Sequence, residues 1–498
     1  MYILPLMCSV HYSVSMRESS EAPEGHHLIH PAWRMTVIAA AALVAAGSYT
    51  TIAGLITDPL VTSCGWSRAE IGIAGSVNMV LYGAIAPFSA ALMDRYGLRL
   101  IAAGALTLLT LSSVLLVTFT PTAVWFTLWW GILVGTGTGS ITMVFGATVA
   151  NRWFIDRIGL ATGILTAASV VGQFAVLPVL STLMTHHGWH APVITCGALA
   201  VVAALLVTIG LRNQPADLGV TRYGDIPTAT TRFTEGTENA LRRSLRVLLA
   251  CVRNRAFWLL SAMFLLCGAT TNGLMWSHFT PAVHDHGMAP TAASSLLALI
   301  GFANIAGTIS AGWLTDRIEP RALLAVFFLI RATALAILPT IFTSEIDAGL
   351  IAFAVAFGIL DVATVPPTIA LCRHYFGADS ALAFGWVNVF HQLGAGTMAA
   401  VGGVIREVDG TYTPVWIVGA TLCTAAAVLG AITTKIHIRH HPVDTNPCRW
   451  YSRMWLPARH VGPVAVHLVP LLLGRVLGGV GSTARALLYR RDQGCSDE

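Results

Sequence analysis

The four longest stretches of this chain without Asp, Glu, Lys or Arg are residues 100–151, 158–211, 256–284 and 286–315. A helix crosses the hydrocarbon core of a bilayer with about 20 apolar residues. Each of the first two stretches therefore has room for two crossings and a turn. A soluble fold would have to bury several wholly apolar helices inside one another, with almost no polar layer outside. Composition points the same way. Of 498 residues, 55% are hydrophobic and 11% charged, where a soluble chain carries about 25% charged residues.

Apolar segments fall at about 36–56, 71–92, 100–119, 124–148, 159–184, 191–210, 256–282, 291–314, 322–342, 349–370, 380–404 and 413–434. The expected fold is all-α and membrane-integral, with twelve spanning helices in two six-helix, pseudo-symmetric halves. The expected divisions are an N-terminal tail over 1–33, a first bundle over 34–210, a central loop over 211–255, a second bundle over 256–436 and a C-terminal tail over 437–498. Basic residues set the orientation. Arg95, Arg99, Arg152, Arg157, the central loop, Arg317, Arg321 and Arg373 would lie on one side, and Arg68 and Arg406 on the other. Short cytoplasmic loops collect Lys and Arg, so both termini are expected in the cytoplasm. The single lysine, Lys435, among 29 basic residues fits a GC-rich genome and a bacterial plasma membrane. Residues 459–487 are apolar again but hold Pro463, Pro470 and Arg475. They read as an interfacial helix, a disordered extension or a thirteenth span.

The chain also repeats itself. ALMDRYGLR at 91–99 and WLTDRIEPR at 313–321 share a charged turn, with Asp94, Arg95 and Arg99 falling on Asp316, Arg317 and Arg321 at an offset of 222. At the same offset Trp153 and Phe154 fall on Tyr375 and Phe376, Gly163 on Gly385, Gly172 on Gly394 and Gly65 on Gly287. Two copies of one bundle suit a protein that rocks one half against the other about a site between them. The charged turns then act either as a gate whose ion pairs differ between the two states, or only as a topology signal.

At the first turn the sequence resembles the major facilitator superfamily, whose signature is a Gly-x-x-x-Asp-Arg-x-Gly-x-Arg turn after the second span. Ala90, Asp94, Arg95, Gly97 and Arg99 stand in that pattern, and the second copy supplies Gly312, with Glu319 in place of Gly97. Two further stretches are similar to the monocarboxylate porter and oxalate/formate exchanger group: Gly65, Trp66 and Arg68 in GWSR, and Trp153, Phe154, Arg157 and Gly163 in WFIDRIGLATG. The resemblance implies a secondary transporter of small organic anions, by proton symport or exchange, working as a monomer. The chain departs from the animal porters in span eight, 291–314, which carries no charge, and from the superfamily in having Gly131 where a fourth-span arginine would stand.

Two charges lie inside spans, Arg331 in the ninth and Asp361 in the tenth. An unpaired charge at mid-membrane costs about 2.5–3.5 kcal/mol on the insertion scale, so these two are expected either to bind substrate and proton or to pair as scaffold. The first, fourth, seventh and tenth spans line the cavity in the resembled fold, so Tyr49, Thr50 and Asn272 are candidate substrate contacts. His391 and Gln392 form a polar step in span eleven, where an imidazole can relay a proton or simply pack. Pro366 and Pro367 would break helical hydrogen bonding in span ten, either as a bend that closes the cytoplasmic end or as a static kink.

Nothing in the sequence points to a metal or a cofactor. GTGTGS at 135–140 lacks the Lys-Ser/Thr of a phosphate loop, and its small residues suit close helix packing. No catalytic pair is visible, and the arginines sit at span ends rather than in a nucleic-acid-binding face. The partners expected are lipid, a small solute and protons. The competing readings are a carrier of an uncharged or drug-like solute and a nontransporting membrane sensor.

Overall fold

The computed structural model describes residues 30–225 and 239–433. The N-terminal tail up to residue 29 and the C-terminal segment, with its suggested interfacial helix, lie outside the described residues. Helices account for nearly all of what is described. They are α1 (Pro31–Cys64), α2 (Arg68–Tyr96), α3 (Leu98–Thr118), α4 (Ala123–Trp153), α5 (Ile158–His187) and α6 (His190–Gly210). The central loop contributes α7 (Ala240–Cys251). Then follow α8 (Arg255–Asp285), α9 (Pro290–Thr315), α10 (Pro320–Ile341), α11 (Ala348–Asp361), α12 (Val365–Phe376), α13 (Ser380–Asp409) and α14 (Thr413–Thr433).

Helix ends follow local chemistry. Ser67 and Glu70 form a reciprocal capping box at the start of α2. Gly65, at φ +72°, closes α1 in the left-handed conformation that glycine accepts without a Cβ clash. Helix α1 is longer than the apolar run suggests, because Pro31 and the His30 side chain fix its start ahead of residue 36. The central loop, expected as a connection, holds one amphipathic helix: Ala240, Ser244, Val247 and Cys251 of α7 are buried on one face.

Eleven stretches of the described residues are long and apolar enough to cross a membrane. One of them, Ala348–Asp409, is 62 residues long and contains α11, α12 and α13. Apolar side chains face outward along α3, α6, α10 and α14, among them Leu100, Ile209, Leu329 and Val428. Such faces suit lipid as the surrounding solvent.

The packing partners recur along the chain. α1 packs on α5 and α8 on α13; α3 packs on α6 and α10 on α14; α2 packs on α13 and α9 on α5. Glycine permits the close approaches. A Cβ on Gly172 of α5 would strike the backbone of Val44 in α1, and one on its repeat partner Gly394 would strike Leu265 in α8. One buried core runs from Ala32 to Leu211. A second runs from Ala240 to Ala427 and takes in Ala86, Ala90, Ala91, Val144 and Ala147.

Three of the long helices are interrupted by π turns: Thr127–Val134 in α4, Val171–Ala175 in α5 and Ala269–Met275 in α8. Pro366 and Pro367 do not kink a continuous helix. The chain leaves helical geometry after Asp361, and the two prolines occupy the first turn of α12, where amide hydrogens have no helical acceptor.

Candidate functional site

The two charges inside spans are close but do not form a simple ion pair. Helices α9 and α11 approach backbone to backbone. A Cβ on Gly358 would lie 2.5 Å from the Ile300 carbonyl, and one on Gly307 would strike Ile359. That approach sets Asn304 of α9 against the end of α11. Asn304 Nδ2 donates to Asp361 Oδ2 at 3.1 Å, and Trp276 Nε1 of α8 donates to the same oxygen at 3.0 Å. Asn304 Oδ1 accepts from Thr308 Oγ1 at 3.1 Å and from the Val362 amide at 3.3 Å. Asp361 Oδ1 is buried without a hydrogen-bond partner.

Arg331 is fully buried, and its guanidinium caps the broken helix. One terminal nitrogen donates to the carbonyls of Leu360 and of Asp361, the latter at 2.7 Å; the other reaches Cys267 Sγ at 3.4 Å. The last carbonyls of a helix have no following amides of their own. In an apolar setting an unmet carbonyl is expensive, so this arginine stabilises the break between α11 and α12. Phe328 and Phe357 flank the cation.

The carboxylate cluster also reaches α5. Phe174, in the π turn of α5, stacks on Trp276 with ring centroids 4.5 Å apart and planes 21° from parallel. Gly301 leaves room for that ring, since a Cβ there would lie 2.6 Å from Phe174 Cγ. Trp276 therefore bonds Asp361 through its nitrogen and meets α5 through its face. Sequence reasoning found Asp361 and Arg331 but missed Asn304, Thr308, Trp276 and Phe174. Asn304, a polar residue in the middle of an otherwise apolar span, was the available signal.

The other candidates are dispersed. Tyr49 is buried, with its hydroxyl 2.6 Å from Ser113 Oγ and 3.1 Å from the Leu109 carbonyl, so it ties α1 to α3. Thr50 is exposed and donates to the Gly47 carbonyl at 2.7 Å. Asn272 is exposed in the π turn of α8. His391 is buried with Nδ1 unpartnered, its ring 4.8 Å from that of Phe264. Gln392 packs on Gly83 of α2, where a Cβ would lie 3.0 Å from its Cγ. Among the described residues no three His, Cys, Asp or Glu side chains converge as a metal site.

The two charged turns are used differently. Asp316 closes the start of α5: its two carboxylate oxygens accept the amides of Gly159 at 2.7 Å and Leu160 at 2.9 Å. A carboxylate is favoured at a helix N-terminus by the exposed amides and the helix dipole. Just below, Gly163 and Gly312 let the helices touch; a Cβ on Gly163 would lie 2.8 Å from the Thr308 carbonyl and 3.0 Å from Gly312 Cα. Asp94 instead meets two arginines, Arg152 at 2.8 Å and Arg243 of α7 at 3.1 Å. Arg243 also reaches Asp379 at the start of α13, at 3.4 Å. At the repeat offset Asp379 stands where Arg157 precedes α5, so the second copy puts an acidic residue at the helix start that the first copy leaves open to a carboxylate.

The remaining motif residues pack around these turns. Gly97, at φ +86°, sits against Asn213, whose Oδ1 accepts the Arg99 amide at 3.0 Å. Arg95 lies over the Tyr96 ring, Arg317 over Trp313, and Arg321 beside Glu319 at 3.3 Å. Trp153 and Phe154 are buried, and Phe154 packs with Trp33 and Tyr223. Arg157 has φ +55°, the one non-glycine positive φ among the described residues, immediately ahead of α5. Gly65 ends α1, Trp66 packs on Phe126, and Arg68 opens α2. At the opposite ends of α8 and α13, Asp285 pairs with Arg406 at 2.8 Å.

Comparison with known proteins agrees with this architecture. The family profile described as Major Facilitator Superfamily matches residues 38–338 and again 265–469. An uncharacterized MFS-type transporter of Bacillus subtilis, YcxA, is 23% identical over 77% of this chain and 92% of its own length. Monocarboxylate transporter 13 of Bos taurus is 26% identical over 72% of this chain and 80% of its own. Among solved structures, FucP in the outward conformation superposes with a TM-score of 0.61 at 15% identity, over 81% of this chain and 99% of that one. The human organic anion transporter MFSD10 superposes with a TM-score of 0.61 at 14% identity, over 81% and 100%. The fold is that of a transporter and not of a catalytic enzyme. The chain belongs to the Major Facilitator Superfamily, as a multi-pass membrane protein that moves a small solute by secondary active transport.

Proposed function

We propose that the chain carries a small monocarboxylate-like organic acid together with a proton, by alternating access between two six-helix halves, as a monomer. The observation that carries the proton part is Asp361: a buried carboxyl group with two donors on one oxygen and none on the other. An ionisable group at that depth is usually retained for function. Asp361 can hold a proton on Oδ1 without giving up either bond to Oδ2. The likeness to monocarboxylate transporters 13 and 12 supports the class of substrate. In this reading Asn272, Thr50, Gln392 and His391 are the candidate contacts for the acid, and Arg331 holds the helix break that positions Asp361.

The reading takes Ala348–Asp409 as two crossings, since one crossing uses about 20 residues and this stretch has 62. That gives twelve spans, six before α7 and six after it. The recurring packing partners and the offset of 222 support two equivalent halves. The arginine-bearing turns would face the cytoplasm of a bacterial cell, with the charged turns as the gate on that side.

Labelled small monocarboxylates in proteoliposomes test the substrate class. Saturable uptake, with faster exchange when unlabelled acid fills the vesicles, is the expected result. Uptake no greater than in empty vesicles for every acid, beside saturable uptake of a neutral solute, would move the reading to an uncharged substrate.

A further inference from the structure

Helix α7 has three sides. Ala240, Ser244, Val247 and Cys251 are buried, and the helix packs on α2 and α13. At 3.6 residues per turn Leu241, Leu245 and Leu249 fall together on a second side, where they are 55%, 42% and 48% exposed. Arg242, Arg243 and Arg246 lie on the third. Arg243 turns back to Asp94 of α2 and to Asp379 at 3.1 and 3.4 Å, whereas Arg242 is exposed. A row of outward leucines is unfavourable in water, and nothing in the fold of the described residues covers this one.

The surroundings of α7 indicate what does. The turn 252–254 leads straight from α7 into α8, a spanning helix that opens with the exposed Arg255. The Ser244 carbonyl accepts from Trp386 Nε1 at 3.2 Å. Trp386 lies about two turns inside the start of α13, and its ring meets Phe88, about two turns back from the end of α2, at 5.6 Å. Helix α7 thus lies alongside the ends of these spans rather than beyond them. Trp258 of α8 is 48% exposed, donates to the Val252 carbonyl at 2.8 Å and meets Phe390 of α13 at 5.9 Å. Val252 continues the leucine side of α7, so that side is continuous with an outward tryptophan near the end of a span. Tryptophan at that level marks the boundary between acyl chains and headgroups.

We propose that the outer face of α7 docks on the bilayer itself, in a leaflet that contains anionic phospholipid. Leu241, Leu245 and Leu249 enter the boundary between headgroups and acyl chains, while Arg242 and Arg255 meet the phosphates. An in-plane helix of this kind gains from its buried apolar area and from attraction to anionic headgroups together. Because Arg243 of the same helix holds Asp94 and Asp379, the lipid-held helix fastens α2 to the start of α13 at the end that carries the charged turns. The inference holds whichever solute is carried.

The test replaces Leu245, and separately Leu249, by the photoreactive benzoylphenylalanine in the full chain. Each variant is placed in nanodiscs of equal parts phosphatidylcholine and phosphatidylglycerol. After illumination, mass spectrometry of the α7 peptide reads what has been joined to it. Lipid adducts are expected at both positions, with phosphatidylglycerol enriched over its share. Arg242→Gln should reduce that enrichment by roughly fivefold, the weight of one arginine at an anionic surface. Enrichment unchanged by Arg242→Gln would overturn the recognition of anionic lipid. Adducts to residues 437–498 would give the face to the chain's own C-terminal segment, and adducts between two copies would give it to a dimer. Either of these, or no adduct at both positions, would overturn docking on the bilayer.

Discussion

Asp361→Asn is expected to abolish accumulation of the acid while leaving its exchange intact. In the proposed cycle one proton moves with each acid. A pH difference of one unit, alkaline inside, is worth about 1.4 kcal/mol and supports a roughly tenfold gradient of the acid. Asparagine keeps the size of the side chain and can still accept from Trp276 Nε1 and Asn304 Nδ2 on its amide oxygen, the two bonds that hold Asp361 Oδ2. It cannot release or take up a proton. The variant should therefore bring labelled acid only to equal concentrations on both sides, about a tenfold lower level under that gradient. Counterflow at equal pH should persist. If Asp361→Asn still accumulates the acid, the proton travels elsewhere, and His391, buried with Nδ1 unpartnered, becomes the group to test.

Gly163→Leu should block transport by preventing closure of the end that carries the charged turns. The wild-type contact is backbone on backbone, with a hypothetical Cβ at Gly163 only 2.8 Å from the Thr308 carbonyl and one at Gly312 2.8 Å from Gly163 Cα. Neither neighbour can rotate away as a side chain does. Overpacking of this kind costs about 1–3 kcal/mol, so the closed arrangement should become roughly 5- to 150-fold less populated. Uptake should fall accordingly, and a cysteine introduced at Gly159 should become more reactive in the variant than in the parent. Gly104→Leu, on an exposed face with no atom within 4 Å of the added Cβ, should leave uptake unchanged. Equal loss in both variants would point to a general effect of leucine in these helices rather than to the α5–α9 contact.

Much of the fold was legible because a bilayer leaves few choices. Charge-free stretches of spanning length have to be helices with their backbone bonds satisfied internally, and the offset of 222 marks which helices correspond. Gly172 and Gly394, paired by that offset, each stand at a close helix crossing, α1 with α5 and α8 with α13. What could not be read were the departures from regular helix. The π turns in α4, α5 and α8 have no composition of their own, yet the one in α5 contains Phe174 and the one in α8 immediately precedes Trp276.

The candidate site was legible only in its charges. Arg331 and Asp361 stood out against apolar sequence, but their partners did not. The guanidinium serves backbone carbonyls exposed by a helix break, and that break shows in sequence only as a Pro-Pro pair. Asp361 is held by an indole and an amide from two other helices, a pairing set by the glycines that let α9 and α11 approach. The charged turns looked alike and were expected to act alike. Their difference arises from α7, because Arg243 occupies Asp94 and Asp379 together, whereas Asp316 is free to cap α5.

The central claim is that acid and proton move together, with Asp361 on the proton's path. Its most direct test is proton movement in proteoliposomes, read with an internal pH dye as small carboxylates are added outside. The account predicts acidification of the vesicle interior that is specific to certain acids, saturable, absent from empty vesicles and lost in Asp361→Asn. Acid uptake by exchange with no pH change, or a pH change undiminished in Asp361→Asn, would contradict it.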